Sequence, residues 1–248
     1  MKNAAILMAG VSRYPEEAYQ NLKEKVIEPL INLNYNVKIF THTWETKTVI
    51  DQKWKINSDI EFEENDFKGS KKWYIKNSDL DVKKSIESIV PIETFVIESN
   101  LKYKEEFHKI INQLPPANMK TPYNLISFLY SRYQCGVLME EYEHKTNTKF
   151  DLVIRHRTEA LLDAKLTNKI LNSSTSHLQT PQFYIDAFPD LTSISNRNHA
   201  KLVNDIYINI LDIIKSQDIF DSHTLLKHVL EIKNIPYNIT NEIKTIRK

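Results

Sequence analysis

At 248 residues the chain is long enough to bury a sizeable core, and 41% hydrophobic with 26% charged residues is ordinary globular usage rather than that of a disordered segment. With 33 basic against 32 acidic side chains the net charge is +1, so no global field recruits nucleic acid or anionic lipid, and any phosphate binding must be local. The single cysteine, Cys135, excludes an internal disulfide or a multi-cysteine zinc site, and 3 glycines are too few for a glycine-rich phosphate loop.

The N-terminal apolar run, interrupted by Arg13, is too short for a secretory signal, and no stretch approaches the ~20 apolar residues of a membrane span. The expectation is a soluble, cytoplasmic protein without a transmembrane segment. Ala4 to Ala9 predicts a first strand ending at Gly10, followed by a loop with Ser12 and Arg13 and a helix opening at Pro15. Gly10 permits a tight turn, and Arg13 then stands above the sheet beside a helix start that attracts anions. The helix runs through Tyr19, Leu22, Val26 and Leu30. Asn36 to Thr41 predicts a second strand leading into His42, Thr43 and Trp44. There His42 is either a hydrogen-bonded structural residue or a ligand group, and Trp44 either a core lid or a stacking surface.

From about 45 to 84 the pattern is irregular, with Trp54, Trp73 and Tyr74 among many charges, and reads as an excursion. Thr94 to Ile97 predicts a strand, and Leu101 to Leu114 a helix stopped by Pro115 and Pro116. The most regular helix spans Thr121 to Lys145. Besides its core face it carries a stripe of Asn124, Ser127, Ser131 and Gln134 flanked by Tyr130 and Arg132, which is either a solvated face or a contact for a ligand or a loop.

The segment around which the chain is organised is Phe150 to Leu162, FDLVIRHRTEALL. It predicts a buried strand over Phe150 to Ile154 that turns cationic at Arg155, His156 and Arg157 before Glu159. Ligands of open α/β sheets bind outside the carboxyl ends of strands, so the two arginines either meet an anion such as a diphosphate or pair with surface carboxylates. Further on, the pattern predicts a helix over Asp163 to Leu171, a Ser/Thr-rich loop over Asn172 to Pro181, and a strand over Gln182 to Ile185 ending at Asp186 and Phe188. A long helix capped by Ser195 or Asn196 follows through Ile213, then a last helix over Leu225 to Glu231, a segment at Ile235 to Ile239 and a basic tail. No repeat or linker divides the chain, so residues 1–248 are expected to form one α/β domain with a mainly parallel, Rossmann-like sheet flanked by helices.

In order along the chain, Gly10-x-x-Arg13, His42-Thr43-Trp44, a helix with Ser127, Tyr130 and Arg132 ending in Glu141-Tyr142-Glu143, the Phe150 to Glu159 stretch, and Asp186-x-Phe188 resemble the GT-A-type glycosyltransferase-like proteins of capsular polysaccharide and lipopolysaccharide loci and of some large viruses. The fullest piece is similar to the family's Tyr/Phe-Asp-x-Val-Ile-Arg-x-Arg-x-Asp. Three positions depart: Glu159 stands where the family has Asp, Thr158 where it often has Pro, and His223 where a Glu commonly precedes Leu225-Leu226.

The resemblance implies a GT-A-like fold and transfer of a sugar from a nucleoside-diphosphate donor to a polysaccharide or glycolipid acceptor. It implies binding roles for Gly10, Arg13, His42, Trp44, Ser127, Tyr130, Arg155, Arg157 and His223. Guanidinium donors would grip the diphosphate. Glu159 would hold Mg²⁺ or Mn²⁺, and Asp186 would act on the acceptor side as base or sugar ligand. The alternative is a non-catalytic relative that binds a nucleotide, glycan or protein partner, with the departures at Glu159 and His223 bearing on the choice. Nucleic acid is not an expected partner.

Overall fold

The computed structural model describes residues 1–11, 15–45, 79–114, 122–183, 191–214 and 222–247. Within them lies one eight-stranded sheet in the order β3-β2-β1-β4-β7-β6-β8-β5. Its strands are β1 (Lys2–Ala9), β2 (Tyr35–Trp44), β3 (Thr94–Glu98), β4 (Leu152–Arg157), β5 (Ala160–Leu162), β6 (Leu178–Phe183), β7 (Thr192–Ser195) and β8 (Tyr237–Arg247). The pairs β3–β2, β2–β1, β1–β4 and β6–β8 are parallel, while β7 runs against both β4 and β6 and β5 against β8. All strands but β7 and β5 therefore point one way, so this is a mainly parallel α/β sheet flanked by helices.

The two faces follow from strand alternation. Ala4, Ile6 and Met8 of β1 and Leu152 and Ile154 of β4 pack against Ala18, Tyr19, Leu22, Val26 and Leu30. Those residues lie on α1 (Pro15–Leu22), a π-helical turn (Lys23–Ile27) and α2 (Glu28–Asn32), a nearly continuous helix whose wide turn precedes Pro29. Helix α3 (Asp79–Ile89) adds Ile86 to the same side. On the opposite face Ala5, Leu7, Ala9, Phe40 and Val153 meet Cys135 and Met139 of α5 (Pro122–Thr146). Each fully buried aliphatic side chain contributes roughly 2 kcal/mol to folding.

A third cluster lies beside the sheet. It joins the first half of α5 to α4 (Lys104–Ile111), which continues a 3-10 turn at Asn100–Tyr103, and to α8 (Ile210–Ile214) and α9 (Ser222–Ile232). Helix α7 (Arg197–Asn204) packs closely on α5: a Cβ at Gly136 would lie 2.9 Å from Asn204 Nδ2. The short α6 (Asn168–Ser173) is capped by Thr167, whose side chain accepts from the Ile170 N–H. In place of glycine, Asn34, Asn147 and Asn234 take the left-handed conformation where α2, α5 and α9 end. Bonds spanning six residues, Thr148 N–H to Glu143 C=O and Ile235 N–H to Leu230 C=O, close the last two ends.

Several elements differ from the sequence expectation. β4 does not stop at Ile154 but runs through the charged triplet to Arg157, because β7 pairs with it from His156↔Thr192 to Val153↔Ser195. β2 likewise includes His42, Thr43 and Trp44. The expected loop before Pro181 holds most of β6, and the expected helix over Asp163 to Leu171 begins only at Asn168, after β5. The long helix after Asn196 breaks into α7 and α8, with Asn196 as the cap that accepts from His199 N–H and Ser195 inside β7. The basic tail is β8, with Ile243 and Thr245 buried. Among the described residues no helix is long and apolar enough to cross a membrane.

Candidate functional site

From β1 the chain steps to β2 and β3 on one side, then crosses to β4 on the other. The strand order thus reverses between β1 and β4, and open α/β sheets form their ligand crevice at the carboxyl ends of strands at such a point. Register sets Val96, His42, Ala9 and Arg157 in one row across the four parallel strands. The residues that follow this row make the rim.

At the β1 end Gly10 has φ +116°, a conformation side chains rarely adopt. A Cβ there would come into ordinary contact with Thr158 Oγ1 at 3.4 Å and Glu159 Oε2 at 3.8 Å, so the strain of a side chain at this position comes from the backbone. Its N–H donates to Ser131 Oγ at 3.1 Å. The Ser131 hydroxyl donates to the His42 carbonyl oxygen at 2.9 Å and lies 3.0 Å from His42 Nδ1. His42 Nε2 lies 2.9 Å from Glu98 Oε2. One buried serine on α5 therefore ties together the ends of β1 and β2, and through His42 the end of β3.

Glu98 also accepts from the hydroxyls of Tyr103 at 2.7 Å and Tyr130 at 3.3 Å, and from Lys102 at 3.4 Å. The His42 hydrogen bond, with those of Tyr103 and Lys102, outweighs desolvation and holds the Glu98 carboxyl down at about 2. Around it Trp44 stacks on Tyr130 with ring centroids 5.5 Å apart, and His42 meets Trp44 edge-on at 5.0 Å. The same α5 stripe places Ser127 against Asn100, whose Nδ2 donates to Ser127 Oγ at 2.8 Å, while Tyr123 donates to Asn100 Oδ1 at 2.6 Å.

The β4 end is different in charge. Arg155 and Arg157, two apart on one strand, share a face. Arg155 is buried inside the sheet, its Nε and Nη2 donating to Ser193 Oγ at 2.9 and 2.6 Å across the β4–β7 pair. A small cavity of about 10 Å³ is lined by Arg155 together with Arg132 and Cys135. Burial pushes the Cys135 thiol up to about 12, so it is a packing residue with no thiolate at neutral pH.

Arg157 stands at the rim. Its Nε and Nη2 both donate to Glu159 Oε1, at 3.0 and 2.6 Å, and its guanidinium lies over the Phe128 ring, 4.3 Å from the centroid. Arg132 lies over the same ring at 4.2 Å. Thr158 latches this turn to β1, its hydroxyl donating to Val11 C=O at 2.8 Å and its N–H to Ala9 C=O at 3.3 Å. A proline here would supply neither donor. His156 does not share the expected cationic character: it donates from Nε2 to Ala160 C=O at 3.0 Å and accepts at Nδ1 from Thr192 at 2.8 Å. Burial holds it neutral, with its pKa lowered to about 4.

Gly10, His42, Trp44, Tyr130, Arg157 and Glu159 thus gather along this rim. Ser127 sits one turn along α5 in the aromatic cluster, and Arg155 lies a layer below Arg157. His223 is half-buried in the first turn of α9, whose Leu225 and Leu226 join the third cluster. Arg13 and Asp186, with Ser12, Phe188, Pro115, Pro116, Thr121 and the 46–78 part of the excursion, lie outside the described residues. Sequence reasoning passed over Glu98 and Phe128. Glu98 carries the same signal as the arginines, a charge closing an apolar strand, TFVIE. Phe128 carries none, because its importance comes from which guanidinium groups the fold brings to it.

The described residues do not by themselves fit a divalent cation. No group of three or more His, Cys, Asp or Glu side chains among them is placed to hold one. Among the carboxylates at the rim, Glu98 is held by four donors and Glu159, 3% exposed, already carries a guanidinium on Oε1.

No protein-family model and no curated protein matches the sequence. Among solved structures, the chain is similar to mouse xyloside xylosyltransferase 1 in its apo form, with 7% identity, a TM-score of 0.43, and 97% of this chain and 85% of that one covered. It is also similar to a glycosyltransferase involved in the glycosylation of the major capsid of PBCV-1, with 9% identity, a TM-score of 0.41 and coverages of 96% and 81%.

Proposed function

We propose that the chain transfers a sugar from a nucleoside-diphosphate donor to a polysaccharide or glycolipid acceptor of the capsular or lipopolysaccharide kind. The observation that carries this reading is the meeting of a left-handed Gly10 and a pre-oriented Arg157 where the strand order reverses. Gly10 lets a ligand approach the backbone, and Arg157 matches phosphate oxygens in planar geometry. In the reaction an acceptor hydroxyl oxygen bonds to the anomeric carbon while the bond from that carbon to the diphosphate oxygen breaks. Charge grows on the departing diphosphate, and guanidinium donors stabilise it. Arg13, from the loop after β1, is the proposed second donor. Asp186 is the proposed acceptor-side carboxylate, taking the hydroxyl proton or holding the sugar.

One observation favours a second reading, a non-catalytic relative that binds a nucleotide or glycan. Glu98, with its pKa held at about 2, is too weak a base to take a hydroxyl proton, and Glu159 is neutralised by Arg157. Incubation with a panel of nucleotide sugars, with product detection by mass spectrometry, separates the two. Release of free sugar or transfer product from one donor, reduced at least tenfold in Arg157→Ala, supports the transferase. Nucleotide binding by calorimetry with no turnover supports the second reading, and failure to bind any nucleotide removes the transferase and the nucleotide-binding form of the second reading.

A further inference from the structure

We propose that Glu159 and Phe128 are positioning residues for Arg157, and that this clamp carries diphosphate charge that a divalent cation would otherwise neutralise. The inference rests on the donor-binding reading above and changes the role of Glu159 within it, from metal ligand to anchor.

Four features of the geometry point this way. Two hydrogen bonds from Arg157 fall on one oxygen of Glu159, fixing the Nε–Nη2 edge of the guanidinium. The plane is then supported by the Phe128 ring at 4.3 Å. Exposure is ordered as a clamp requires: the Arg157 side chain is 15% exposed and that of Glu159 3%, so an anion arriving from solvent meets the guanidinium first. A cation reaching Glu159 would have to approach a carboxylate whose charge Arg157 already offsets at 2.6 Å.

Phe128 adds a second function. Arg132 lies over the same ring at 4.2 Å, so one aromatic side chain fixes the positions of two guanidinium groups relative to the rim. An arginine is a flexible chain whose rotamer freedom is lost on gripping a ligand, and a side chain ordered beforehand loses less. Replacing Phe128 with an aliphatic residue keeps the packing volume but removes the cation–π face. A tyrosine restores that face.

The test is titration calorimetry of the full chain with inorganic pyrophosphate, UDP and GDP, each in EDTA and in Mn²⁺, with a thermal transition recorded for every variant. The expected result is pyrophosphate and one nucleotide binding within twofold in both media. Arg157→Ala should weaken binding at least tenfold. Phe128→Leu should weaken it three- to tenfold, with Phe128→Tyr restoring it to within twofold. Glu159→Gln keeps a hydrogen-bond acceptor but removes the negative charge, so affinity should hold or tighten a few-fold. Glu159→Ala should weaken it three- to tenfold. Binding that vanishes in EDTA, returns with Mn²⁺ and is abolished by Glu159→Gln overturns the clamp and leaves donor binding standing. Phe128→Leu or Glu159→Ala with unchanged affinity and an intact thermal transition also overturns it. No binding in either medium overturns the clamp and the donor-binding reading together.

Discussion

At the β3–β2 end of the rim one carboxylate, Glu98, accepts from His42, Tyr103, Tyr130 and Lys102, and aromatic rings close around it. At the β4 end, Glu159 accepts twice from Arg157, while Arg132 lies across the Phe128 ring and Arg155 lies one layer down. The first end is polar yet turned inward: its hydrogen bonds join three strands and a helix. The second is rich in cations at the place where the strand order reverses. The difference teaches that charge at a strand terminus has two uses, and that the number and identity of its neighbours decide between them. A carboxylate ringed by several hydrogen-bond donors is a joint, and a guanidinium set against an acid and a ring is a hand.

If the β3–β2 end is a joint, breaking it should cost stability first. His42→Ala would leave Ser131 Oγ and Glu98 without their shared partner and open a void beside Trp44. The expected loss is about 3–4 kcal/mol by urea denaturation. Next in size is an effect of acid on β4. The unfolded chain protonates His156 near 6.5, whereas the folded protein holds it neutral down to about 4. The unfolded state therefore binds more protons between those values, and stability falls as pH drops from 6.5 to 4 and then levels, by roughly 3 kcal/mol. His156→Gln should flatten that limb. A separate fall between about 4.5 and 2 belongs to Glu98, whose lowered carboxyl stabilises the fold above that window, and Glu98→Gln should remove it.

Gly10→Ala sharpens the comparison because it touches both ends at once. Strain at φ +116° should cost about 1–2 kcal/mol, and the new methyl group reaches Thr158 and Glu159, so pyrophosphate affinity should fall with stability. The smallest effect is expected at Lys102, the exposed outermost donor to Glu98. Lys102→Ala should leave the melting temperature unchanged if the joint depends on its buried members.

How much of this was legible depended on how local each signal was. The apolar runs of β1 and β4 and the row of polar strand ends could be read directly, because each is contiguous in sequence. β7 could not, since TSIS has one large apolar residue and becomes a strand only through pairing with β4. β8 reads as a polar tail because Asn, Glu and Lys alternate with the few residues it buries, and its partner β6 lies some 60 residues away in sequence. The polar stripe of α5 was visible, but not its direction. It faces the sheet, where Ser131 and Ser127 serve strand ends and Asn100 rather than solvent. Arg157 stands at a strand terminus as its sequence pattern predicts, while the place of Arg155 inside β4 depends on the length of that strand, set by β7.

The three left-handed asparagines that close α2, α5 and α9 carry a consequence for engineering. A chain with 3 glycines uses asparagine where a residue without a Cβ is the less strained choice. Asn34→Gly, Asn147→Gly and Asn234→Gly fall at exposed helix exits rather than among the rim residues described above. They offer a modest reserve of thermal robustness, around half a kcal/mol apiece, that can be drawn on without disturbing the chemistry.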